Sequence, residues 1–322
     1  MTRTPFGALI ALALACAFVA TWPFRGDLAQ SVAVTTVQRP LAHVTSWRFL
    51  PSAVPSQANI ERLASDTADL LVVGDVMSSD GSQLSSSDVA ALQARSSVRP
   101  RIVLARINLA AVSPRDVTWD PVWSIARPGW FDAPLCDARQ SYPVKFWNDD
   151  WKKIIFSGPA SELDRISGLG FNGVYLTGLD RVNDVEGAHP SAKRDMIRFV
   201  TELAAKARNK RPGFIVMAEA EPALLADADL RGTIDGTALR GALYGADGRE
   251  RRRAPEIAQT YEALRPLQHD GKTVFAVEFA TDDAFIDRAA LELRRRGIVP
   301  GFEMPESTDR PASECANEAT HN

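Results

Sequence analysis

The 322-residue sequence is poor in the residues that build thiol and metal sites. It has three cysteines, Cys16, Cys136 and Cys315, and four scattered histidines, His43, His189, His269 and His321. None stands at zinc-type spacing, so a metal centre or a Cys–His nucleophile has no ligand set. No Gly-x-Gly-x-x-Gly follows the first strand pattern, and no Gly-x-Ser-x-Gly elbow occurs. No cofactor is therefore expected. Basic charge is not in excess either: 37 Lys and Arg face 40 Asp and Glu, a net charge of −3. That excludes the broad basic surface of a nucleic-acid binder. The run Arg249 to Arg253 reads as a solvated helix start. Apolar runs of membrane-spanning length are also missing. The longest, Ala8 to Thr21 behind Arg3, has the length of a signal h-region. Residues 1–30 thus read as a signal peptide or a retained N-terminal anchor. The protein is expected to be exported: periplasmic, secreted or held at the cell surface. An oxidising compartment would permit a Cys136–Cys315 disulfide.

What the sequence has is a repeating alternation of apolar runs and helical patterns. Residues 31–43 read as a linker. From Val44 onward, apolar runs end near Leu50, Asp75, Leu109, Trp147, Asp180, Glu219, Tyr244, Glu278 and Met304. Most carry apolar residues at consecutive positions, as strands buried on both faces do. Between them lie helical patterns such as Ser191 to Asn209 and Asp282 to Arg296. Such alternation implies a parallel sheet with helices outside. The expected fold is one (β/α)8 TIM barrel over 44–304, followed by a polar tail, 305–322. One of the nine strand candidates would be an extra edge or closing segment. A doubly wound open sheet is the alternative. Residues 110–142 break the rhythm with Trp119, Trp123, Trp130 and several prolines, as long functional loops do.

Four apolar runs end on or just before an acid, with five acids in all: Asp75, Asp180, Glu219 with Glu221, and Glu278. A barrel gathers the C-terminal ends of its strands on one face, where barrel enzymes carry out their chemistry. Clustered carboxylates push each other's pKa apart, so that one keeps a proton while another stays ionised. That division serves glycosidic cleavage. Any single acid could equally be structural. Trp47 and Trp147, near strand ends, could stack on sugar rings or belong to the core.

These motifs resemble glycoside hydrolase family 114, the endo-α-1,4-polygalactosaminidase family of TIM barrels. The resemblance runs over about residues 44–304. Asp69 to Gly81 is similar to the family's second strand, with its acid and following Asp-Gly. Lys145 to Ile154 resembles its strand-four segment, in which two Trp flank an acidic turn. Gly170 to Asp180 resembles the Gly-Phe-x-Gly-Val strand that ends in paired Asp. Ala218 to Leu225 is similar to the Asn-x-Glu segment, with Glu221 at the Glu. Ile298-Val299-Pro300 resembles the closing stretch. The resemblance implies an exported hydrolase of an α-linked, galactosamine-containing exopolysaccharide, with a strand-five Asp and a strand-six Glu as its carboxylate pair. The chain departs from the pattern at Thr177, where the first Asp of the pair would stand. It departs again at Ala110-Ala111, in place of Gly-Glu, and at Arg240, in place of an acid. The expected pair is Glu221 as acid/base with Asp180 as partner. Asp75, Glu278, Glu219, Arg240, Thr177, Trp47 and Trp147 are expected to contact substrate. A catalytically silent carbohydrate-binding protein on the same barrel is the alternative. A monomer is expected, with membrane anchoring only through the N-terminal segment.

Overall fold

The computed structural model describes residues 39–50, 56–74, 82–94, 100–132, 141–245, 250–279 and 282–303. Asp75, Cys136, Cys315, the N-terminal segment 1–30 and the tail from 305 lie outside the described residues.

Eight parallel strands form one sheet that curls into a nearly closed barrel: a (β/α)8 TIM barrel. They are β1 (Trp47–Leu50), β2 (Leu70–Gly74), β3 (Ile102–Asn108), β6 (Gly173–Thr177), β7 (Ile215–Glu219), β8 (Gly236–Arg240), β9 (Thr273–Phe279) and β10 (Ile298–Glu303), hydrogen-bonded in that order. The two short strands between, β4 (Ala111–Val112) and β5 (Tyr142–Pro143), form a separate antiparallel ribbon. Tyr142 to Trp147 is thus the extra piece among the nine strand candidates. Pro143 has no N–H to give a central ladder, which confines it to an edge.

The helices among the described residues are α1 (Gln57–Ala64), α2 (Ser86–Gln93), α3 (Asp149–Lys152), α4 (Glu162–Leu169), α5 (Arg181–Val185), α6 (Ala192–Lys210), α7 (Pro222–Leu225), α8 (Ala228–Thr233), α9 (Ala254–His269) and α10 (Asp283–Arg295). Ser56, Ser85 and Asp282 each cap a helix start by accepting a backbone N–H, which satisfies donors that have no partner inside the helix.

Side chains alternate across the barrel wall, as the strand period of two requires. One cluster fills the interior: Trp47, Phe49, Leu70, Val72, Ile102, Leu104, Tyr175, Ile215, Met217, Ala238, Phe275 and Val277. Their strand neighbours, such as Leu71, Val73, Val103, Val174, Leu176, Val216 and Ala276, pack outward under the helices. Leu41 and Val44 also join the interior, so the stretch read as linker ends inside the barrel base. At the seam, β1 and β10 lie side by side. Trp47 closes the gap against Gly301, where a Cβ would come within 2.6 Å of the indole Nε1.

Candidate active site

The interior positions at the C-terminal ends of the strands set the floor of the barrel mouth. On β7, Ile215 and Met217 point inward, so Glu219 does too. Tyr175, two positions before the end of β6, donates its phenol O–H to Glu219 Oε2 at 2.8 Å. Arg240, the last residue of β8, donates from Nε to Glu219 Oε1 at 3.3 Å and from Nη1 to Glu303 Oε2 at 2.8 Å. Its guanidinium lies over the rings of Phe49, 5.2 Å to the centroid, and Phe279, 5.5 Å. Five strands therefore meet at Arg240. Burial works against the arginine's charge, but Glu219 and Glu303 more than offset it and raise its pKa. Burial, then the Glu219 charge, pushes the Tyr175 phenol well up, so it stays a donor.

Two further acids stand above this floor. Gly178 follows β6 at φ +82, and a Cβ there would lie 2.3 Å from Asn108 Oδ1. Only glycine adopts that turn freely. The turn carries the chain out to Asp180, immediately before α5. Asp180 is exposed as a residue, yet protein crowds its carboxyl. That desolvation, followed by the charges of Glu219, Glu221 and Asp184, raises its pKa. Glu221 immediately precedes α7 and accepts from Asn183 Nδ2 at 2.8 Å. Asn183 belongs to α5, so this bond ties the loop after β7 to the loop after β6.

The structure thus brings together Asp180, Glu219, Glu221 and Arg240. Thr177 ends β6 on the inward face it shares with Tyr175. It is buried, and its hydroxyl faces the Ile107 carbonyl at 3.4 Å. Glu278 is fully buried. It is flanked along β9 by the interior residue Val277, so it points away from the mouth. It accepts the backbone N–H groups of Leu243 at 2.8 Å and Tyr244 at 3.3 Å. Burial raises its pKa to about 7, against those same hydrogen bonds. Trp47 begins β1, at the end of the strand away from the mouth, and packs on Phe49, Tyr175 and Phe275. Glu278 and Trp47 serve the core: the strand period turns Glu278 outward, and its position along the strand keeps Trp47 at the base. Trp147 is half-buried, with one face stacked on His189 at 4.1 Å. Asp75 lies outside the described residues. The tryptophans of the long loop hold one another: Trp119 stacks on Tyr142 at 5.5 Å, and Trp130 on Phe131 at 4.5 Å.

The sequence reading missed Tyr175, Asn183, Phe49, Phe279 and Glu303. For Tyr175 a signal existed, because it lies two residues before Thr177 and shares its face. Glu303 was hidden because the last apolar run reads through to Met304. Among the described residues, no group of three or more His, Cys, Asp or Glu is placed to hold a metal ion.

No protein-family model matches the chain. It is 27% identical over 232 residues to an uncharacterized protein of Deinococcus radiodurans, covering 71% of each chain. It is also 27% identical over 248 residues to an uncharacterized protein of Methanocaldococcus jannaschii, covering 73% of this chain and 67% of that one. Among solved structures, the glycoside hydrolase domain of PelA from Pseudomonas aeruginosa aligns with a TM-score of 0.59 at 16% identity, covering 81% of this chain and 95% of that one. Aspergillus fumigatus Ega3, in complex with galactosamine, aligns with a TM-score of 0.58 at 14% identity, covering 81% and 91%. The likeness to these two structures is one of fold, a (β/α)8 barrel.

Proposed function

We infer that the protein is a glycosidase acting on an α-linked, galactosamine-containing polysaccharide, with Asp180 and Glu221 as its carboxylate pair. The observation that carries this reading is the gathering of Asp180, Glu219 and Glu221 at the barrel mouth, with the Asp180 pKa raised by its acidic neighbours. A carboxyl whose pKa is raised by its surroundings is shifted in the direction that a proton donor to a departing glycosidic oxygen requires. Expectation from sequence gave the acid role to Glu221. The electrostatics favours the converse division, with Asp180 as proton donor. Glu221, whose carboxylate accepts the Asn183 amide, is then the partner on the opposite side of the sugar. The separation of the two carboxyls in the complex decides its part: about 5–5.5 Å for attack on the anomeric carbon, about 6.5–9.5 Å for activation of a water.

The resemblance to family 114, and Ega3's crystallisation with galactosamine, support the substrate class. An acidic mouth also suits a polymer bearing ammonium groups. Export through the N-terminal segment would bring the enzyme to such a polymer.

The test is to incubate purified protein with de-N-acetylated galactosamine polymer and measure new reducing ends. Glu221→Gln should lower the rate by about 10²–10⁴-fold; an unchanged rate removes Glu221 from the mechanism. Binding without cleavage selects the second reading, a carbohydrate-binding barrel. Thr177, standing where the family resemblance leads one to expect an acid, favours that alternative.

A further inference from the structure

In the pairing of β6 with β7, Leu176 lies opposite Ala218. One step further along each strand stand Thr177 and Glu219. Thr177 occupies the place where the resemblance calls for an acid. Glu219 occupies the place where it calls for Asn. An acid thus stands beside Thr177 on the neighbouring strand, at the same height in the barrel.

Glu219 is held more firmly than its neighbours at the mouth. Each of its oxygens accepts a bond, one from the Tyr175 phenol at 2.8 Å and one from Arg240 Nε at 3.3 Å. Arg240 is fixed in turn by Glu303 and by the faces of Phe49 and Phe279. Two donors on one carboxyl fix its orientation towards the mouth. The side chain is still 22% exposed, so it lies open to the mouth above it.

We propose that Glu219 is a third catalytic carboxylate of this site: it lies beneath the sugar at the scissile bond and stabilises the positive charge that develops on the anomeric carbon. The role rests on the glycosidase reading. Cleavage passes through an oxocarbenium-like state, and a pre-oriented anion in a water-poor floor stabilises such charge without reorganising. No bond to Glu219 forms or breaks. Tyr175 and Arg240 are its positioning residues. The charge of Glu219 has a second effect, on Asp180. The charges that raise Asp180 are Glu219 from β7, Glu221 before α7 and Asp184 from α5, with Arg240 paired to Glu219 and Arg181 paired to Asp184 beside them. Removing any one of the three acids eases ionisation of Asp180.

The experiment compares wild type with Glu219→Gln on galactosamine polymer across pH. The expected result is a kcat lower by about 10²–10³-fold, a KM close to wild type, and a basic limb of the pH–rate profile moved to lower pH. A kcat equal to wild type, or a loss confined to KM, overturns the role. A purely structural tie between barrel strands would lower thermal stability and leave kcat at the optimum pH close to wild type, whereas the shift of the basic limb follows from the lost charge in either case. If Glu219→Gln does not fold, Glu219→Asp keeps the charge but withdraws it from the sugar. It should lose kcat at unchanged KM, and a wild-type kcat overturns the proposal. A wild type that cleaves no galactosamine polymer ends the glycosidase reading and this role together. Full activity in Glu219→Gln beside an active wild type ends this role alone.

Discussion

Replacing Glu278 by Gln should invert the stability order of the two proteins between acid and alkaline pH. Glu278 is fully buried behind β9. Its two oxygens accept the N–H groups of Leu243 and Tyr244, which fixes the turn after β8. The cost of burying its charge exceeds what those bonds return, and the folded carboxyl titrates near 7 rather than near 4.5. The folded state thus holds this proton more tightly than the unfolded chain does. The resulting stability is fully present below about pH 4.5 and is lost as pH rises through about 7. A displacement of that size corresponds to about 3 kcal/mol above pH 8. Glutamine never ionises, so it escapes this loss. It surrenders one of the two acceptors, at about 1 kcal/mol. Wild type should then be more stable by about 1 kcal/mol at pH 3, and the variant by about 2 kcal/mol at pH 9. Urea unfolding at both pH values measures the difference. Other titrating groups, Glu162 among them, are common to both proteins and cancel. A difference between wild type and variant that stays constant with pH would refute the reasoning.

Two other substitutions test the frame around the site. Arg101 is 1% exposed and donates to the carbonyls of Leu63, Ala64, Asp66, Ala68 and Leu92, at the ends of α1 and α2 and the entry to β2. Arg101→Met should cost about 3–5 kcal/mol and lower Tm by roughly 10 °C; calorimetry showing less than 1 °C would contradict the buried-carbonyl reading. Gly301→Ala places a methyl where Trp47 packs, within 2.6 Å of its Nε1. It should cost about 1–3 kcal/mol by overpacking, whereas a Trp47 free to meet sugar at the mouth would leave stability unchanged.

The barrel was legible because its strands are apolar on both faces. The runs around Leu70–Gly74 and Gly173–Thr177 have no polar residue to turn outward, and only a sheet covered on both sides accommodates that. The site was legible in part. Acids ending apolar runs marked Asp180, Glu219 and Glu221, which the fold gathers at one end of the barrel. The same rule also gathered Glu278, because a run's last residue points inward or outward according to register, which the apolar pattern of a doubly buried strand does not record. Glu219 ends β7 on the inward parity, and Glu278 sits near the end of β9 on the outward one. Trp47 was displaced for a related reason. Its run was read as Val44 to Leu50, which put Trp47 near the end, but β1 begins at the tryptophan. The partners of Arg240 come from β1, β7, β9 and β10, and no local spacing brings those four together.

The most direct test of the proposed chemistry separates protonation from the other steps. Asp180→Asn should be assayed on galactosamine polymer and on an α-galactosaminide whose dinitrophenolate leaving group needs no proton. If Asp180 is the proton donor, polymer cleavage falls by about 10²–10⁴-fold, while release of dinitrophenolate stays close to the wild-type rate. Equal losses on both substrates, or no loss on the polymer, would contradict the account.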